Sequence, residues 1–253
     1  MNLEVVLRKT EQGFWEGTHC GEVRNRLPSL LNVGTANIIR LLRSHVRPQQ
    51  RVLEIGFAPG KILAYLALKN AATVSGIDYS EKGVAASRRL FECLGIAADL
   101  RCEDLFKSTF LERSFDFVYS LGFIEHFENP EIVVERHFRY LKPGGRGLIA
   151  IPNYSGVYGR LQTRFDPDNL AIHNMDIMER GSLLRLTNGL DCLDVTAYEY
   201  GRMNPWLVSY EGKWPKAMAR AVNFIGNLAG LLQPIDVKAV CPLLVIEFTR
   251  AGS

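Results

Sequence analysis

From Arg51 to Ile151 short apolar runs alternate with amphipathic ones, and this rhythm constrains the fold more than any other feature of the chain. "RVLEIG", "ATVSGID", "AADLRCED", "SFDFVYSLG" and "RGLIAIPN" are strand-like. Between them, "KILAYLALKN" carries Ile62, Leu63, Leu66 and Ala67 at helical spacing. "SEKGVAASRRLFECLG" opens at Ser80 and closes near Gly95. "NPEIVVERHFRYLKPGG" has Asn129 as N-cap, Pro130 at the first helical position and Gly144 just past the predicted end. Strands separated by helices of roughly ten to fifteen residues need crossovers, so they form a parallel sheet covered on both faces. "LDCLDVTAYEY" and "CPLLVIEFTR" add two strands. The expected architecture is α/β: a doubly wound, mostly parallel seven-stranded sheet with helical and loop lid insertions.

One domain accounts for the 253 residues. Residues 1–46 read as an N-terminal helical cap and 47–153 as the core of the sheet. Residues 154–253 read as a substrate-facing and C-terminal part with a lid insertion at 201–238. Residues 153–178 are rich in Asn, Asp, Pro and Gly and show few periodic apolar positions. A net charge of +3, from 30 basic and 27 acidic residues, comes without a basic block, so no nucleic-acid partner is expected. Five cysteines (Cys20, Cys93, Cys102, Cys192, Cys241), without a CxxC pair, point to a reducing compartment and away from a zinc site. The N-terminus lacks the apolar core of a signal peptide, and no apolar run reaches the ~18–20 residues of a spanning helix. A cytoplasmic location is expected.

In an open parallel sheet ligands sit beyond the carboxyl ends of the strands. The first strand ends at Glu54 and the loop Gly56, Phe57, Ala58, Gly60; the second ends at Asp78, the third at Asp104, and the fourth at Ser120 followed by Glu125-His126. A dinucleotide loop needs G-x-G-x-x-G, but Ala58 and Lys61 stand at its second and third glycines. A P-loop needs Gly-Lys-Ser/Thr, but Ile62 follows Gly60-Lys61. Glu54 would also set an anion beside a phosphate. A ligand with a cationic amino group and no phosphate reverses that objection.

"LEIGFAPG", "GIDYS", "CEDLF", "FDFVYSLGFIEHF" and "LKPGGRGLIAIPN", in this order between about residues 50 and 153, resemble the class I S-adenosylmethionine-dependent methyltransferase family. The resemblance implies a Rossmann-like sheet and S-adenosylmethionine as cofactor. It implies that Glu54 holds the methionine amino group and that Gly56 and Gly60, with Phe57 and Ala58 between them, pass close to the methionine moiety. Asp78 would accept from the ribose hydroxyls, with Tyr79 beside the adenine; Asp104 would accept from the adenine amino group, with Leu105 along the base; Ser120 would touch the methionine end. Ala58 departs from the family's middle glycine, and alanine is tolerated there if its φ is negative.

The donor is already activated, so the protein has to align a nucleophile, exclude water and accept a proton where the acceptor carries one. His126 and His173 are the catalytic candidates; His19, His45 and His137 read as surface or helix-packing residues. Quinone-pathway relatives hold a divalent ion through Glu-x-x-Glu-His. Gly122 stands at the first Glu of that pattern, so no metal is expected. Trp15 is a candidate wall over the site. In "WPKAMARAVNFIGNLAGLL" Met218, Val222, Ile225, Leu228 and Leu232 share one helical face. That face packs on the domain, packs across a homodimer, or docks residues 214–232 on a membrane. The leading expectation is methylation of a small molecule or glycan, most readily on oxygen; no "NPPY"-like sequence ends the fourth strand, which disfavours amino-group methylation of nucleic-acid bases. The alternatives are a lipid-linked or macromolecular acceptor (protein or RNA), or a binding module without turnover.

Overall fold

The computed structural model describes residues 7–18, 25–210 and 213–252; His19 and Cys20 lie outside them. The strands are β1 (Arg51–Ile55), β2 (Thr73–Asp78), β3 (Asp99–Cys102), β4 (Phe115–Leu121), β5 (Leu141–Pro152), β6 (Cys192–Tyr200) and β7 (Leu243–Arg250). They form one seven-stranded sheet in the order β3-β2-β1-β4-β5-β7-β6, in which β7 alone runs against its neighbours. The helices are α1 (Gln12–Thr18), α2 (Val33–Arg43), α3 (Lys61–Asn70), α4 (Glu81–Cys93), α5 (Pro130–Tyr140), α6 (Val157–Phe165), α7 (Pro167–Ala171), α8 (Arg180–Arg185) and α9 (Lys216–Leu232). No helix among the described residues is long and apolar enough to cross a membrane.

Period-two alternation sorts the central strands into two cores. Leu53, Ile55, Ile77 and Val118 pack with Val133 and Val134 of α5. Val52, Val74, Phe117 and Tyr119 pack with Leu41 of α2, Leu63 and Leu66 of α3, and Leu90 of α4. Both faces are covered, so the strands read as continuous apolar runs. Each fully buried leucine contributes about 1.5–3 kcal/mol. The chain direction across the sheet reverses between β1 and β4, which opens a crevice beyond their carboxyl ends.

Two local expectations need correction. Helix α5 stops at Tyr140, short of Gly144. Leu141 already pairs with Phe115 and Arg146 pairs with Phe117, so residues 142–145 bulge out of β5, with Gly144 at φ +73°. Residues 153–178, which show little apolar periodicity, fold into α6, α7 and a 3-10 turn at Met175–Ile177. The inward face of α6 is partly polar: the Tyr158 hydroxyl donates to Val240 O at 3.0 Å, and Gln162 accepts from Ser209 N at 3.0 Å.

For α9 the structure decides among alternatives that the sequence left open. Its apolar stripe faces outward, with Phe224 70% and Leu232 73% exposed beside exposed Met218, Ile225 and Leu228. The inward face is built from Ala219, Asn223, Gly226 and Gly230. A Cβ on Gly230 would fall 2.2 Å from Met203 O, and one on Gly226 would fall 2.8 Å from Pro205. Small residues let the helix approach this backbone closely. Asn227 completes the dock, accepting from Val33 N and donating to Leu31 O, both at 2.8 Å.

Candidate active site

The glycine loop leaves β1 at Gly56 (φ +74°) and enters α3 through Gly60 (φ +75°). Both positions are left-handed, which only glycine adopts without strain. Ala58 is not among the positive-φ residues, so the alanine is accommodated. Its amide donates to Asp78 Oδ2 at 3.0 Å, and Ser80 N donates to Oδ1 at 2.9 Å. One carboxylate thus ties the loop to the end of β2 and helps start α4. Above this junction lies a cavity of about 120 Å³. Gly56, Ala58, Asp78, Tyr79, Leu105 and His126 line it, together with Phe123 and Phe127 after β4.

The cavity's roof is a feature that no sequence motif announced. Residues 7–15 cross the opening as a strap: Lys9 N donates to His126 O at 2.8 Å and Glu128 N donates to Leu7 O at 2.9 Å. Arg8 pairs with Asp104 at 2.8 Å and lies 5.1 Å from the centre of the Tyr79 ring. Trp15, the candidate wall, does line the cavity. Its indole N–H donates to Thr10 Oγ1 at 3.0 Å, and its ring meets His126 edge-on with centroids 5.0 Å apart.

Other expected residues stand outside the cavity lining. Glu54 lies beneath the floor on the opposite face from Ile55, where the Tyr119 hydroxyl donates to it at 2.8 Å. Desolvation pushes its carboxyl up to about 8, with Asp78 adding to the rise and the Tyr119 bond opposing it. Phe57 turns into the core over Gly76, where a Cβ would fall 2.5 Å from its ring. Ser120 is fully buried and bonded to His137 Nε2 at 2.9 Å, so its neighbours Leu121 and Gly122 take the place on the cavity wall expected for it. His137 is the buried packing alternative, not a surface residue. Its Nδ1–H donates to Val133 O at 2.8 Å, and desolvation pushes it down to about 4. Asp104 sits on the outer rim, where Oδ1 accepts from Phe106 N at 2.9 Å and Oδ2 meets Arg8; Glu103 lines the inner cavity instead.

At His126 on the cavity wall three buried donors converge. Glu125 and His126 lie on a 3-10 turn after β4, and His173 follows α7. Asn174 staples the two segments, its N–H donating to Glu125 O at 2.6 Å and its side chain to Phe127 O at 3.0 Å. His126 Nδ1 donates to Ile172 O at 3.0 Å, and His173 Nδ1 donates to Asn169 O at 2.6 Å. The two rings lie 4.8 Å apart between centroids, and Tyr154 meets His173 edge-on. Burial pushes Glu125 up to about 8 and His126 down to about 4. Glu125, His126 and His173 offer donor atoms within 4.8 Å of one another, the spacing of a group able to hold a cation. The sequence already held Glu125-His126, but nothing in it signalled that His173 would meet them.

A family model described as a methyltransferase domain matches residues 53–149, the span from β1 to β5 that carries the glycine loop, Asp78 and His126. Residues 53–149 are thus similar in sequence to a methyltransferase domain. Phosphoethanolamine N-methyltransferase 2 of Caenorhabditis elegans is 32% identical over 120 residues, covering 47% of this chain and 27% of the relative. Ubiquinone biosynthesis O-methyltransferase of Neisseria meningitidis is 33% identical over 109 residues, covering 41% and 44% respectively. The chain thus spans less than half the length of either relative. In fold it is similar to the [4+2]-cyclase SpnF, with a TM-score of 0.59, 18% identity and coverage of 85% and 80%.

Proposed function

We propose that this chain transfers the methyl group of S-adenosylmethionine to a small-molecule or glycan acceptor, with oxygen as the methylated atom. The observation that carries this reading is one cavity lined both by the glycine loop, Asp78 and Tyr79 and by His126. Asp78 serves the ribose hydroxyls and Tyr79 the adenine. Gly56 lets the backbone approach the methionine part, and Glu54 supplies negative potential beneath the ammonium. His126 and His173 are the acceptor-side groups: each has Nδ1 committed to a backbone carbonyl, which leaves its lone pair on Nε2. The Trp15 strap helps exclude water from the reacting sulfonium.

The test incubates methyl-labelled S-adenosylmethionine with the protein and extract of its source cell, then fractionates the label. Label in small-molecule or glycan fractions is expected; label confined to protein or RNA would sink the reading. S-adenosylhomocysteine should bind calorimetrically, and binding without any label transfer would indicate a module without turnover.

A second reading, of an acceptor carried on a lipid surface, is favoured by the outward stripe of α9. Exposed Trp206 and Leu31 extend it on either flank. From 213 to 235 the sequence holds Lys213, Lys216 and Arg220 and no acid, so the complementary surface is an anionic bilayer. Sedimentation with phosphatidylglycerol vesicles, absent with phosphatidylcholine alone, is expected. Concentration-dependent dimerisation without vesicle binding would assign the face to a second copy.

A further inference from the structure

Glu125 raises a question that the methyl-transfer reading leaves open. Its side chain is 1% exposed, yet Oε2 has no hydrogen-bond partner, and among the described residues no lysine or arginine pairs with it. A buried carboxylate oxygen in that state costs several kcal/mol of lost solvation unless a cation or proton meets it. The two histidines facing it are constrained. A carbonyl oxygen can only accept, so the bonds to Ile172 O and Asn169 O fix both protons on Nδ1 and both lone pairs on Nε2. That is the arrangement by which outer carbonyls orient metal-binding imidazoles.

The distances agree. His126 Nε2 stands 3.9 Å from Glu125 Oε1, too far for a hydrogen bond. One donor atom from each residue lies within 4.8 Å of the others, so a central point exists no more than about 2.8 Å from all three. Zinc–ligand bonds of roughly 2.0–2.2 Å therefore need each donor to close by less than about 1 Å. His126 also lines the cavity beside the glycine loop, so an ion held there adjoins that cavity. Two imidazoles select a first-row transition ion over magnesium or calcium, which take oxygen ligands. The local pattern loses a ligand at Gly122, and His173 from the segment after α7 supplies the replacement.

We propose that Glu125, His126 and His173 bind one divalent first-row transition-metal ion, with zinc as the reference. This rests on the methyl-transfer reading for its role and changes the part of the histidines from proton acceptors to ligands. An acceptor hydroxyl on the ion loses its proton to water. Its oxygen pair forms the O–CH3 bond, and the S–CH3 pair returns to sulfur, leaving a neutral thioether.

The test uses the full chain, stripped with a chelator, dialysed and titrated with Co²⁺ without cofactor. Saturable uptake of one ion per chain with visible d–d bands is expected. Glu125→Gln and His173→Gln should each weaken it more than about 100-fold. Both variants should still bind S-adenosylhomocysteine, which shows an intact fold; if His173→Gln does not, the near-isosteric Glu125→Gln decides. No saturable uptake by the wild type overturns the site. So does uptake that survives the deciding variants, as binding at the exposed thiols of Cys93 or Cys102 would. Failure of S-adenosylhomocysteine to bind the wild type would instead sink the methyl-transfer reading, because the cobalt readout does not depend on it.

Discussion

Glu54→Gln should make the protein more stable and a poorer cofactor binder, with both effects growing as pH rises. The wild-type carboxyl is fully enclosed, and desolvation lifts it from 4.5 to about 8. A group whose folded pKa is raised contributes stability below its unfolded pKa and loses it as pH climbs through the folded value. The affected window therefore runs from about pH 4.5 to pH 8. At 1.36 kcal/mol per unit, the wild type gives up about 3 kcal/mol between pH 5 and pH 8 that a neutral amide does not. Glutamine keeps an oxygen to accept from Tyr119, so packing is preserved. Urea unfolding of both proteins at pH 5 and pH 8 measures the difference. Calorimetry with S-adenosylhomocysteine should show an affinity loss of about tenfold or more, the worth of a charge-assisted contact to the ammonium. Equal stability gaps at the two pH values, or a wild type more stable at pH 8, would refute the claim that Glu54 is held at a cost for its charge.

His137→Gln tests the opposite sign. Its depressed folded pKa gives stability that is present above about 6.5 and lost as pH falls toward 4, so the wild type should lose about 2 kcal/mol from pH 7 to pH 5 that the variant keeps. Gly56→Ala should lower both melting temperature and cofactor affinity. A left-handed alanine costs about 1–2 kcal/mol. The new Cβ would also fall 2.5 Å from the Phe123 ring, which must move in the cavity wall. Phe224→Asp with Leu232→Asp should shift stability by no more than about 0.5 kcal/mol per site, as exposed positions do, and should abolish sedimentation with anionic vesicles. A large loss of melting temperature would show that the outward face is structural after all.

The sheet was legible because both of its faces are buried, which leaves contiguous apolar runs in the sequence. The left-handed Gly56 and Gly60 and the helix cap at Ser80 were legible because local chemistry demands them. Three kinds of information were not local. Ser120 shares its sheet face with Ile55 of the cavity wall, but its hydroxyl is taken by His137, a helix away. Arg8 and Trp15 reach the site only because the strap pairs with residues after β4. The facing of α9 stayed open in the sequence because its inward face is small and polar, whereas periodicity registers only the large apolar side. Backbone contacts at Met203 and Pro205 decide the orientation, and hydrophobicity does not register them.

The same division separates cofactor handling from acceptor choice. The matched span ends at residue 149, and within it lie the glycine loop, Asp78, Glu125 and His126. Outside it lie the strap carrying Arg8 and Trp15, His173 on its stapled segment, and the outward face of α9. Kinship with an N-methyltransferase and an O-methyltransferase therefore speaks for the part that holds the donor and leaves the acceptor open. The likeness to a [4+2]-cyclase presses the point further, since one sheet can carry chemistry other than methyl transfer. The meeting of His126 with His173 beside a buried Glu125 joins the matched core to the segment outside it. A chimera exchanging residues 153–178 for a relative's equivalent should accordingly keep S-adenosylhomocysteine affinity while losing Co²⁺ uptake and changing the fraction that takes the label. If affinity fell with the exchange and the labelled fraction stayed the same, acceptor choice would have to reside in the core.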